Sequence, residues 1–138
     1  MKIGNSSQCV EFEVEDNGSD YDQSYLIRVS REGYNGVTRS VYISTDDARN
    51  FISQLELIEK NLAESAKLIN ASSESDASPL DLKIRRADSL GHLVVEATTR
   101  KWVMNVGVSS FLSTSISFEL DRELLAATIR DFKRLLLR

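Results

Sequence analysis

Few residues of this chain could do chemistry, and they are scattered. His92 is the only histidine, and it closes the segment Asp88-Ser89-Leu90-Gly91-His92 just before an apolar run. A Ser-His-Asp relay would have to take Ser89 and Asp88 from that same turn, and neighbours on one turn are not expected to reach relay geometry. A lone histidine is no metal site unless cysteines or carboxylates are held beside it. The reading its surroundings favour is a turn or edge imidazole with a local hydrogen bond. Cys9, the only cysteine, excludes an intramolecular disulfide and a cysteine metal cluster. It stands on an early strand without a histidine or basic neighbour to lower its pKa, so an activated thiolate is not expected.

The carboxylates are more numerous. Glu11, Glu13 and Glu15 alternate along one strand face, and Asp16, Asp20 and Asp22 follow in the next turn. Paired carboxylates that cleave glycosides flank a cleft, with one held protonated. Three in a row on a solvated face stay ionised. The aspartates lack the glycine and the closing glutamate of a calcium loop. Two readings remain: ordinary solubility charge, or an acidic strip that, with His92, binds a basic partner.

No glycine-rich phosphate fingerprint is present, and no cofactor is expected. Arg85-Arg86 and Arg100-Lys101 are isolated pairs. Trp102 beside the second pair is either a stacking surface or a cap on the edge of the core. The formal charge is −4. Residues 1–25 hold six acids against Lys2, whereas Arg122, Arg130, Lys133, Arg134 and Arg138 outnumber Glu123 and Asp131 near the end. An acidic chain is a poor general binder of nucleic acid, so a protein partner is expected and nucleic acid is not. The N-terminus has no apolar signal segment and the chain no membrane-spanning run. A cytoplasmic protein, monomer or weak homodimer, is the expectation.

These residues must be held by elements that the apolar spacing reveals. The 138 residues suit one domain, and 41% hydrophobic residues supply a core. Gln8 to Glu15 turns Val10, Phe12 and Val14 to one face. Tyr25 to Arg31 and Val37 to Ile43 follow as strands, separated by turns at Asn17-Gly18 and at Glu32 to Gly36. A helix capped by Thr45 or Asp46 carries Ala48, Phe51, Ile52, Leu55, Ile58 and Leu62 on one stripe, and its pattern extends towards Leu68. Asn70 to Pro79, NASSESDASP, is expected to be a mobile loop between two halves. Strands are expected at Leu80 to Ile84, from Leu93 to a reversal at Arg100-Lys101, from Trp102 to Val108, and, after a Ser-rich bend at Ser109 to Ser115, from Ile116 to Leu120. A helix capped by Asp121 closes the chain, with Leu124, Leu125, Thr128, Ile129, Phe132, Leu135 and Leu136 as its stripe.

The fold class is therefore α+β, in the order βββα–ββββα. It implies a largely antiparallel sheet of about six to seven strands, with two amphipathic helices on one face and the other face polar. Shifting the first half by 75 residues lays Val41, Ile43 and Asp46 on Ile116, Phe118 and Asp121. That is either a pseudo-repeat or two uses of one strand-to-helix device.

Two segments carry a family likeness: Asp88-Ser89-Leu90-Gly91-His92-Leu93-Val94-Val95, and Phe118-Glu119-Leu120-Asp121 running into Leu124, Leu125, Ile129 and Phe132. With the strand-to-helix unit from Val41 to Leu55, the chain over about 25–135 resembles the WapI-type immunity proteins and related small bacterial domains of unknown function. The resemblance implies a small cytoplasmic protein that binds and neutralises a cognate toxin, and the acidic N-terminal strip suits a basic toxin domain. It transfers no catalytic residues. The readings that compete with it are a self-associating structural domain and a small hydrolase or ligand-binding domain centred on His92.

Overall fold

The computed structural model describes residues 1–15, 23–69, 78–105 and 107–137. The first half is an antiparallel meander of β1 (Lys2–Gly4), β2 (Gln8–Glu15), β3 (Ser24–Arg31) and β4 (Tyr34–Tyr42), followed by helix α1 (Thr45–Glu59). The second half repeats that plan with β5 (Ser65–Ile69), β6 (Leu80–Arg86), β7 (Leu93–Asn105) and β8 (Val108–Leu120), a 3-10 turn at Arg122–Leu124 and helix α2 (Leu125–Leu136). The α+β class and antiparallel pairing hold. The single sheet of six to seven strands does not: there are two four-stranded sheets.

The differences have local causes. β1 is three residues long, too short to alternate visibly, yet it pairs Ile3 with Val10 and buries it. α1 stops at Glu59 although Leu62 continues its apolar spacing. Asn61 takes a left-handed φ of 60°, its N–H bonds Ile58 O at 3.0 Å, and the Leu62 N–H bonds Leu57 O at 2.8 Å. This is a Schellman stop with asparagine in the usual glycine place. Leu62 is thereby thrown into solvent, and the chain reverses into β5, which packs along α1. The N-cap is Ser44, one residue before the expected caps; its hydroxyl accepts the Asp47 N–H at 3.1 Å.

The expected reversal at Arg100-Lys101 and the bend at Ser109 to Ser115 are absent. β7 and β8 form one hairpin in unbroken register from Leu93↔Leu120 to Asn105↔Val108. Arg100 stays in the strand because β6 and the residues leading into it hold it. Its N–H donates to Pro79 O, and its guanidinium bonds Ser78 O at 2.9 Å and Asp81 at 2.8 Å. The β3–β4 turn is tighter than expected: Glu32 (φ 51°) and Gly33 (φ 86°) make a two-residue turn with both φ positive, the conformation that matches strand twist. The segment 70–77 and the turn at Asn17-Gly18 lie outside the described residues.

One continuous core joins the halves. Phe132 of α2 sits edge-on to Phe12 of β2 (5.5 Å) and to Phe51 of α1 (5.0 Å), so both helices and the first sheet meet at one aromatic cluster. The Tyr25 hydroxyl donates to Leu135 O at 3.2 Å. The two sheets touch where β4 crosses the β7–β8 hairpin. A Cβ at Gly36 would lie 2.5 Å from Thr114 Cβ and 2.6 Å from Thr99 Oγ1, so this close approach requires glycine. Thr38 Oγ1 donates to Arg100 O at 3.0 Å, and the Arg31 guanidinium donates to Ser117 O.

Candidate partner-binding surface

His92 lies at an end of the molecule where three connections meet: the α1–β5 turn, the β6–β7 turn and the β8–α2 junction. Asp88 organises the middle one. Its Oδ1 accepts the N–H groups of Leu90 (2.9 Å) and His92 (3.2 Å), and its Oδ2 lies 2.5 Å from His92 Nδ1. Gly91, at φ 89°, bends the chain back far enough for that contact, and the Ala87 N–H closes the turn on His92 O at 2.7 Å. The imidazole thus makes a local hydrogen bond within its own turn, and the partner is Asp88, the residue an Asp–His pair would use. Among the described residues the imidazole's hydrogen bond is to Asp88 alone, with no hydroxyl bonded to its other nitrogen.

The pair shifts both titrations. The hydrogen bond from His92 holds the Asp88 carboxyl below its ordinary value. The same bond, then the Asp88 charge, with a smaller effect from Glu119, raises the His92 imidazole.

Arg122 ties the three connections together. From the 3-10 turn its Nη2 reaches Asn61 Oδ1 (2.9 Å), Glu59 O (3.2 Å) and Ile58 O (3.4 Å), and its Nη1 approaches Gly91 O at 3.5 Å. A guanidinium here meets carbonyls at the C-terminus of α1, where the helix dipole favours a cation. Asp121 starts the turn by accepting the Glu123 N–H at 3.1 Å.

These elements frame an open depression of about 760 Å³ lined by Leu90, His92, Glu119, Leu120, Asp121, Arg122 and Glu123. Glu119, Asp121 and Glu123 are exposed, as is Asp88, against the single arginine. Leu90 is 81% exposed, and Leu62 and Leu124 are exposed on the neighbouring connections. Apolar side chains beside Glu119, Asp121 and Glu123, exposed acids with no ion pair among the described residues, make up an open patch rather than an enclosed small-molecule site.

The acidic strip is placed otherwise. Glu11, Glu13 and Glu15 do line the outer face of the first sheet, but three cations meet them. Arg28 lies 3.7 Å from Glu11 and 2.7 Å from Glu13, Lys2 lies 3.8 Å from Glu11, and Arg39 lies 3.7 Å from Glu15. Glu15 also accepts the Ser40 N–H at 2.6 Å, supporting that residue's left-handed φ. Asp16, Asp20 and Asp22 lie outside the described residues. Strip and His92 turn belong to different sheets. Cys9 is buried, its Sγ 3.3 Å from Ser30 Oγ. Trp102 is half exposed on the long hairpin and does not close the core. No group of three His, Cys, Asp or Glu side chains able to hold a metal occurs among the described residues, and none of the described helices is long and apolar enough to cross a membrane. Of the acids at the β8–α2 junction, the sequence pattern marks Asp121 as a helix cap and gives Glu119 and Glu123 no site role. Only the position of the β6–β7 turn beside them makes a surface.

The model of the immunity protein WapI-like family matches residues 1–138, the whole chain. The chain belongs to that family. The match includes β1 and β2, beyond the 25–135 span of the resemblance noted from the sequence. No curated protein matches the chain. Membership in an immunity protein family implies a protein partner, a toxin, in general terms.

Proposed function

We propose that this protein neutralises a cognate toxin by binding it directly, without catalysis, and that the docking surface is the depression at the His92 end. The observation that carries the proposal is the whole-chain family match. The surface chosen within it rests on the acidic rim of Glu119, Asp121 and Glu123 around exposed Leu90. The partner that fits is a basic protein domain, with association steered by charge and weakened by salt. His92 offers its second ring nitrogen to that partner while Asp88 fixes the ring. The strip of Glu11, Glu13 and Glu15, with Asp16, Asp20 and Asp22, is the second surface, because its described members already have cationic neighbours. The protein would work in the bacterial cytoplasm, where an incoming or newly made toxin must be stopped.

The test is co-expression with the toxin-like product of the adjacent gene, followed by purification. Survival with a stable complex supports the proposal. Survival without a complex counts against direct inhibition. Reversing Glu119 and Glu123 to lysine should abolish both, whereas reversing Glu11 and Glu13 should not. A second reading, a small-ligand site, is favoured only by the Asp88–His92 pair over an open depression. It requires that His92→Ala remove a ligand-dependent signal at unchanged stability.

A further inference from the structure

From the edges of the two sheets we infer that this protein pairs with a second copy of itself through the outer edge of β8. Each sheet has two outer strands, and three of the four carry a device that blocks strand addition. β1 is only three residues long. β4 is interrupted by a register shift opposite Tyr25 to Ile27, with Ser40 in a left-handed conformation and Arg39 beside it. β5 is short and lies along α1, where the Lys67 N–H already donates to Gln54 Oε1 at 3.0 Å. β8 differs. It runs 13 residues in unbroken register, and from Val108 to Phe118 it holds no charged residue and no proline.

The direction of its free groups follows from its neighbour. In the ladder Ser113 faces Arg100. The Arg100 N–H donates to Pro79 O and its carbonyl accepts the Thr38 hydroxyl, so the backbone of Arg100 turns away from β8. The backbone of Ser113 therefore turns away from β7, and the two-residue period turns Ser115 and Ser117 the same way. Ser117 agrees, since its carbonyl accepts Arg31. Ser113 and Ser115 are exposed and present outward N–H and C=O groups with no bond between them and the described residues.

The occupant that fits is the same strand from another copy, antiparallel about a two-fold axis. Arg31 on the Ser117 carbonyl ends the open stretch; up to Ser115 the edge carries no charged side chain and meets itself without like-charge opposition, and an isologous contact closes at two copies. Leu112, 65% exposed between the outward positions, would be covered as the two sheets become one. This inference does not rest on toxin binding.

Sedimentation of the purified full chain from about 1 µM to about 1 mM tests it. The mass should rise from 15.5 kDa towards twice that value. Ser113→Pro removes an outward N–H without removing a ladder bond, and Ser113→Lys places a charge on the edge. Both should stay at the single-chain mass with unchanged circular dichroism and melting. Amide exchange at Ser113 and Ser115 should slow at least tenfold at the upper concentration in the wild type alone (about 1.4 kcal/mol of protection). A single-chain mass throughout, or a lysine variant that associates as the wild type does, overturns the inference.

Discussion

Replacing Arg122 with alanine tests the clamp that holds the proposed docking surface together. The substitution removes a cation that bonds Asn61 Oδ1 at 2.9 Å and Glu59 O at 3.2 Å, with longer approaches to Ile58 O (3.4 Å) and Gly91 O (3.5 Å). Hydrogen bonds from a charged donor are worth about 1.5–3 kcal/mol each when buried, and a cation at a helix C-terminus about 0.3–1 kcal/mol. Two of these four contacts are long, and water can reach Asn61 and Glu59 once the guanidinium is gone. The net loss should therefore fall near about 2 kcal/mol rather than at the sum. For a chain of this size that lowers the melting temperature by roughly 8 °C. Arg122→Lys keeps the charge but cannot fork to Asn61 and Gly91 together, so it should recover less than half of the loss. Calorimetry and urea unfolding measure both variants. Hydrogen exchange should report faster opening at Leu90 and Gly91, while the Phe12–Phe51–Phe132 cluster stays protected. A melting temperature within about 2 °C of the wild type for Arg122→Ala would refute the clamp.

Because His92 is the only histidine, its ring titration is unambiguous by NMR. It should titrate above the ordinary histidine value, and Asp88→Asn should return it towards that value. The sign for stability follows. A raised imidazole contributes fully below the unfolded-state value of about 6.5 and loses its contribution as pH rises through the folded value; the lowered Asp88 carboxyl contributes above its unfolded value of about 4 and loses its contribution as pH falls through the folded one. A wild-type His92 titrating at or below the ordinary value would contradict the Asp88 contact. Gly36→Ala should cost about 1–3 kcal/mol, because the added methyl meets Thr114 and Thr99 at 2.5–2.6 Å across the sheet–sheet contact. An unchanged urea midpoint for that variant would mean the two sheets do not pack as described.

Much of the core was legible because periodicity reports burial. Val10, Phe12, Ile27, Val29, Phe51, Leu55, Phe118 and Phe132 all face the interior, as their spacing requires. Where the sequence misled, a single residue overrode the pattern. Asn61 ended α1 before its apolar stripe did, so β5 was hidden inside an apparent helix. Arg100 looked like a turn residue, but its ion pair with Asp81 keeps it in a long strand. The Arg100 contact joins segments distant in sequence, which no local window contains, whereas the Asn61 stop is local but sets an asparagine, not a glycine, where the apolar stripe still continues. The surface was least legible. Glu11 and Glu13 stood out as a row, yet Arg28 of the neighbouring strand answers them. Asp121 reads as a helix cap, and nothing in the segment of Glu119, Asp121 and Glu123 shows that Leu90 and His92 lie alongside.

The most direct test is calorimetric titration of this chain with a purified candidate toxin domain, taken from an adjacent gene or from a pull-down in the native host. Wild-type protein should bind one-to-one with salt-sensitive affinity, Glu11→Lys/Glu13→Lys should bind nearly as well, and Glu119→Lys/Glu123→Lys should lose at least a hundredfold (about 2.7 kcal/mol). Wild-type affinity in the Glu119→Lys/Glu123→Lys variant would contradict the proposed surface, and no heat of binding for the wild type would contradict neutralisation by direct contact.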